Sequence, residues 1–89
     1  MKAIVTVIGR DRVGIIAAIC TALAESSVNI LDISQTILQE YFTMIMVVDI
    51  KQCTLDFAAL SEKLAAVGDE LGLSVRIQRE DIFDAMHRI

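Results

Sequence analysis

A polar segment between two apolar runs is the feature that most limits how this chain can fold. The segment, residues 9–14, reads GRDRVG and is bounded by Gly9 and Gly14. Residues 2–8 before it (KAIVTVI) have a β-like pattern, and residues 15–24 after it (IIAAICTALA) have helical spacing and no charge. A strand and a helix N-terminus therefore meet at one turn, where backbone N–H groups favour an anion such as a carboxylate or phosphate.

Four strands and two helices are predicted in the order βαββαβ. Three strands cover residues 2–8, 29–39 and 41–50, and a hairpin turn at Gln39-Glu40 joins the second to the third. The first helix covers residues 13–25; the second has Thr54 as N-cap, Asp56 in its first turn and a stop at Gly72. The apolar positions of the second helix and of the fourth strand are Phe57, Leu60, Leu64, Val67 and Leu71, followed by Leu73, Val75 and Ile77.

This order predicts an α+β fold, a ferredoxin-like sandwich. Two right-handed βαβ units interleave into a four-stranded antiparallel sheet with both helices on one face. Ile82, Phe83, Met86 and Ile89 recur at helical spacing, so a short amphipathic C-terminal helix is also predicted. Residues 1–80 form the domain and residues 81–89 its tail. The second face of the third strand is apolar and needs the tail or another subunit.

Composition narrows the possible partners. In 89 residues the hydrophobic fraction is 55% and the mean hydropathy +0.61, so a homodimer or higher homo-oligomer is expected. A net charge of −4 and the absence of basic runs disfavour direct binding to nucleic acid or to a membrane surface. No apolar segment has the length of a membrane span and no signal peptide is evident, so a cytoplasmic protein is expected. Cys20 and Cys53 are predicted to be free thiols.

The turn and the start of the second strand resemble those of the ACT domain, a small regulatory fold that binds amino acids. The resemblance is carried by residues 9–16 (GRDRVGII), by residues 27–30 (SVNI) and by the element order over residues 1–80. The tail resembles a group of stand-alone ACT proteins that are similar to the ACT halves of glycine-cleavage repressor proteins. The resemblance implies an amino-acid site between the first loop of one subunit and the second strand of a side-by-side partner.

The resemblance also implies which residues bind the ligand. They are Asp11, Arg12, Val13, Gly14, Ile15, Asn29 and Ile30. Two positions depart from the family pattern: Val13 stands where many amino-acid-binding members have proline, and Gly9 where some serine-binding members have histidine.

Each candidate also has a purely structural interpretation. Asp11 could accept from a ligand ammonium group or cap the first helix. Gly14 could let a ligand approach the backbone or let the helix pack closely on the sheet. Asn29 could bond a ligand or shape the turn into the second strand. Arg10 and Arg12 could hold a carboxylate or be solvated surface charges.

No enzyme chemistry, cofactor or metal site is predicted. The sequence has no nucleophile elbow, no phosphate-binding loop and no metal-ligand cluster, and His87 is the only histidine. Phe42 could serve RNA stacking, but the acidic balance argues against that use. The predicted function is a homo-oligomeric amino-acid sensor that signals to a regulatory protein partner in amino-acid metabolism. The alternative is a protein–protein assembly module with no physiological ligand.

Overall fold

Six elements build the domain in the predicted order. The structure, a computed structural model, describes residues 1–80. The elements are β1 (Lys2–Arg10), α1 (Ile15–Glu25), β2 (Asn29–Leu38), β3 (Tyr41–Asp49), α2 (Phe57–Leu71) and β4 (Ser74–Arg79). The strands form one antiparallel sheet in the order β2-β3-β1-β4, which confirms the ferredoxin-like βαββαβ fold. The predicted C-terminal helix and His87 lie outside the described residues.

The core lies between the two helices and one face of the sheet. Alternation along the strands places every second side chain on that face. Met44 and Met46 of β3 are completely buried there, so both methionines fill the core. The other main core side chains are Ala3, Val5, Val7, Ile15, Ile19, Leu23, Leu60, Leu64, Leu73, Val75 and Ile77.

The helix boundaries correct two details of the prediction. α1 begins two residues later than predicted, because Gly14 has φ +93° and this left-handed conformation cannot belong to a right-handed helix. The N-cap of α2 is Asp56 and not Thr54: an Asp56 carboxylate oxygen accepts from the Ala59 N–H at 2.7 Å. Gly72, with φ +70°, ends α2 as predicted.

Within residues 1–80, strand β2 is an edge strand that pairs only with β3. Its register shifts between Ile30 and Asp32, so Leu31 is the extra residue of a β-bulge and breaks the simple alternation of faces along the strand. All residues from Leu31 to Leu38 are exposed. The outer edge of β2 therefore offers unpaired backbone groups flanked by apolar side chains.

Different loops and turns lie at the two ends of the sheet. At one end Arg10 and Leu38 both pair with Tyr41, so the β1–α1 loop lies beside the β2–β3 turn. At the other end Lys2 and Asn29 both pair with Asp49, so the α1–β2 turn lies beside the β3–α2 loop.

Candidate functional site

The β1–α1 loop, residues 11–14, is held between its neighbours by two hydrogen bonds. The backbone N–H of Asp11 donates to the carbonyl of Glu40 in the β2–β3 turn at 2.7 Å. The Arg12 guanidinium Nη1 donates to the carbonyl of Leu71, at the C-terminal end of α2, at 3.3 Å. Cations are favoured at a helix C-terminus, so the contact between Arg12 and the end of α2 is favourable. It also holds the positive charge of the guanidinium towards α2 and away from the loop.

Gly14 ends the loop and sets the start of α1. Its carbonyl accepts the first intrahelical bond, from Ala18 N–H at 2.9 Å, and its φ of +93° favours glycine. A Cβ at this position would meet no atom within 4 Å, so close packing of helix on sheet is the wrong explanation for Gly14. Position 14 therefore favours glycine because of its backbone conformation.

Among the described residues, no side chain caps α1. The N-cap residue is Gly14 and the helix N-terminus has no side-chain cap bond, so the capping interpretation of Asp11 is wrong. The first N–H groups of an α-helix have no partner within the helix. At α1 they are left for water or for a ligand, and the exposed Asp11 carboxylate remains available beside them.

A cleft of about 280 Å³ opens between this loop, α1 and β2. We call it the loop cleft. The loop lines it with Asp11, Arg12 and Gly14, and α1 with Ile15, Ile16 and Ala17. The sheet contributes Gln35, Ile37 and Phe42. The predicted loop residues thus surround a real concavity, and Ile16, Ala17, Gln35 and Ile37 are lining residues that the sequence did not single out.

Within one subunit, three predicted site residues place little or no side-chain surface in this cleft. Val13 is 97% exposed and is not part of the lining. Ile15 is buried in the core, although it reaches the cleft wall. Ile30 is half-buried against the core cluster of its own subunit. Within one subunit, the side chains that could contact a ligand in the cleft are therefore those of Asp11, Arg12 and the cleft wall.

Asn29 lies at the opposite end of the sheet, in a second cavity of about 270 Å³. We call it the polar cavity; its lining residues are Ser27, Asn29, Asp49, Lys51 and Gln52. The left-handed residue of the α1–β2 turn is Ser27, with φ +59°, and not Asn29. The turn-forming role that was the alternative for Asn29 therefore belongs to Ser27.

Asp49 organises the polar cavity. Its Oδ1 accepts from the Lys51 backbone N–H at 2.9 Å, and this bond, with the neighbouring positive charges, holds the pKa of the Asp49 carboxyl below its usual value. Lys51 and Gln52 line the same cavity as Asn29. They could not be identified from the sequence, because only the strand register brings the β3–α2 loop to the start of β2.

A third cavity, of about 400 Å³, lies at the same end as Asn29. Apolar side chains from the β3–α2 loop and α2 line most of it, including Ile50, Leu55, Phe57 and Leu60. Cys53 also lines it, is half-buried and is a free thiol, as is Cys20 of α1. None of the predicted ligand-binding residues contributes to this cavity.

Other chemistries have little support in the part of the chain that the structure describes. Among residues 1–80, no three His, Cys, Asp or Glu side chains are grouped so that they could hold a metal ion. Within the same range no helix combines the length and the apolar character needed to cross a membrane. Phe42 is 3% exposed and points into the core, so it offers no platform for stacking RNA bases.

Comparisons with known proteins match the whole chain. A family model for the ACT domain matches residues 2–78. A UPF0237 protein of Bifidobacterium longum is 53% identical over 88 residues, which cover 99% of this chain and 98% of that protein.

Solved structures show the same architecture. An ACT domain protein from Streptococcus pneumoniae is 46% identical, with a TM-score of 0.83 and 98% of each chain covered. A protein described as a glycine cleavage system transcriptional repressor has the same fold, with 20% identity, a TM-score of 0.75, and 88% of this chain and 44% of that chain covered. The loop at residues 9–16, the strand order and these matches agree, and the chain belongs to the ACT domain family.

Proposed function

We propose that this chain is a homo-oligomeric sensor that binds an amino acid between two copies of itself. One arrangement carries the proposal: the loop cleft and Asn29 lie at opposite ends of β2, and no other strand among residues 1–80 pairs with the outer edge of β2. Ten residues separate those ends by about 30 Å within one subunit, since a strand rises about 3.3 Å per residue. A single copy therefore cannot bring its own two groups of predicted site residues together.

A second copy brings them together by symmetry. When a twofold axis passes beside the middle of the outer edge of β2, the strand pairs antiparallel with its own copy. The first residue of one strand then meets the last residue of the other. Asn29 of one copy then lies beside Leu38 of the other, next to Ile37, which lines the loop cleft. Each interface would thus contain two equivalent sites, each with a loop cleft from one copy and a polar cavity from the other.

The surface of β2 suits such pairing. Four large apolar side chains on this strand are between 40% and 71% exposed: Leu31, Ile33, Ile37 and Leu38. The strand has no lysine or proline, residues that commonly keep an edge strand from pairing, and its single bulge lies near one end. Helix α1, on the same side of the fold, has no charged residue before Glu25. Pairing would remove this apolar surface from water.

The polar groups of the two cavities match the ends of an amino acid. Asp11 can accept from the ligand ammonium group, and the uncapped N-terminus of α1 can donate to its carboxylate. The Asn29 and Gln52 amides and the Lys51 ammonium of the second copy supply further donors and a positive charge. The bound ligand would stabilise the interface between the two copies. A regulatory protein partner would respond to this change in the oligomer.

An assembly module with no physiological ligand is the second candidate. The exposed apolar edge of β2 supports it equally well, because that edge favours association whether or not a ligand is present. The two candidates differ in one expectation: only the sensor gains stability from an amino acid.

Thermal unfolding of the full chain against the common amino acids tests the proposal. A ligand at 100 times its dissociation constant should stabilise each subunit by about 2.7 kcal/mol. In a domain of this size, that is a rise in Tm of roughly 10–20 °C. The shift should be lost in Asp11→Ala and in Asn29→Ala, while both variants keep their unliganded Tm. No shift with any amino acid would favour the assembly module.

Mixed oligomers test whether the site is shared between copies. Asp11→Ala and Asn29→Ala subunits, unfolded together and refolded, should regain binding at one of the two sites of each mixed dimer. Neither variant should bind the amino acid by itself. No recovery in the mixture would reject the shared site.

A further inference from the structure

The wall of the loop cleft indicates what kind of amino acid it accepts. Ile16 and Ala17 of α1 form one side, and Ile37 of β2 and Phe42 of β3 form the other. Ile16 is 39% exposed and Ile37 is 53% exposed, so both present hydrocarbon surface that no other described residue covers. Gln35 is the only polar side chain that the sheet contributes.

The charged groups of the cleft lie along its loop side and not along this wall. Asp11 and Arg12 both belong to the loop, and the Arg12 guanidinium donates to the Leu71 carbonyl at 3.3 Å. A charged or strongly polar ligand side chain placed between α1 and β2 would lose water and find only the Gln35 amide as partner. An apolar side chain would instead cover Ile16 and Ile37.

We infer that the ligand is an amino acid with an uncharged apolar side chain of the size of valine, leucine, isoleucine or methionine. This inference rests on the proposed function. Ala17 and Ile37 are the specificity-determining residues: the small side chain of Ala17 leaves the space that the ligand fills, and Ile37 forms the apolar surface against which it packs.

Titration calorimetry on the full chain tests the inference with defined probes. L-Valine, L-leucine, L-isoleucine and L-methionine are compared with L-serine, L-aspartate and L-lysine. The preferred apolar probe should bind at least about tenfold more tightly than L-serine, since one methylene in an apolar pocket is worth roughly 10- to 200-fold.

Two alanine-to-leucine variants show whether the probe occupies this cleft. Ala17→Leu, on α1, should fill the cleft and weaken binding of the apolar probe by at least about tenfold. Ala65→Leu makes the same change at an exposed position of α2, outside the cleft and away from β2, and should leave binding unchanged. Ile37→Ser, at a half-exposed position, should reduce the ratio of the affinity for the apolar probe to the affinity for L-serine.

The outcomes separate this inference from the proposed function. Binding of a polar or charged probe in preference to every apolar one would overturn the inference and leave the amino-acid sensor standing. Apolar binding that Ala17→Leu leaves intact would also overturn it, because the side chain would then lie elsewhere. If no amino acid binds the wild-type protein, both the inference and the proposed function fail.

Discussion

Helices α1 and α2 cover the same face of the sheet, but their ends and outer sides differ. α2 begins at the Asp56 cap, ends at the left-handed Gly72 and carries Glu62, Asp69 and Glu70 as exposed charges. α1 begins at Gly14 without a side-chain cap and carries no charge before Glu25. The two ends of α2 are therefore capped within the subunit, and its outer side is solvated. α1 leaves N–H groups and apolar surface open, as the proposed ligand site and subunit interface require.

The largest effects should fall on what the two helices have in common. Leu23 of α1 and Leu64 of α2 are both fully buried in the one core, so alanine at either position should leave a cavity and cost about 2–5 kcal/mol. Urea unfolding at a fixed protein concentration measures the free energy of unfolding of both variants. A loss below about 1 kcal/mol for Leu23→Ala alone would mean that α1 is not part of the shared core.

Gly14→Ala should have the next largest effect. A residue with a Cβ is strained at φ +93°, so the free energy of unfolding should fall by about 1–2 kcal/mol. Gly14→Asn is the matched control, because asparagine tolerates left-handed conformations better than other non-glycine residues, and it should cost less. Chemical unfolding of both variants checks this order. Equal costs would point to a role of Gly14 other than its backbone conformation.

The difference in capping predicts unequal effects of two similar substitutions. Asp56→Ala removes the bond to the Ala59 N–H and should cost about 1 kcal/mol of stability. Asp11→Ala removes no cap bond, so the unliganded protein should change by less than about 0.5 kcal/mol. Thermal unfolding of the two variants side by side measures both. A cost for Asp11→Ala as large as that for Asp56→Ala would restore the capping role of Asp11.

The smallest expected effect is a pH dependence at Asp49. The Lys51 N–H bond lowers the pKa of Asp49 in the folded protein below its ordinary value of 3.8. The stabilisation is therefore fully present above that value and is lost as the pH falls through the lower, folded pKa. The difference in Tm between wild type and Asp49→Asn should be constant near neutral pH and shrink below about pH 4. A difference that grows on acidification would show that the sign of the shift is wrong.

Much of the fold could be predicted because its signals are local. Alternating apolar residues located β1 and β4, the stripe from Phe57 to Leu71 located α2, and Gly72 marked its end. One error, the N-cap of α2, arose because two residues of similar chemistry compete for one role. Thr54 and Asp56 can both cap a helix, and the path of the chain after β3 favoured Asp56.

The candidate site could be predicted only in its loop half. Residues 9–14 are contiguous and carry a recognisable pattern, so Asp11 and Gly14 were found. Ile16, Ala17, Gln35 and Ile37 were not, because only the tertiary structure places the start of α1 across the cleft from β2. Lys51 and Gln52 were missed for the same reason: the register of β3 against β2 brings them to Asn29.

The sequence by itself determined the element order, the family and the position of the first loop, since each depends on residues close together in the chain. Only the tertiary structure decided that Asp11 leaves α1 uncapped, that the loop and Asn29 lie at opposite ends of the sheet, and that the cleft beside the loop has an apolar wall. Those properties depend on strand register and on helix packing, which join residues distant in sequence. Periodicity in one segment carries no information about which residues of another segment will face it.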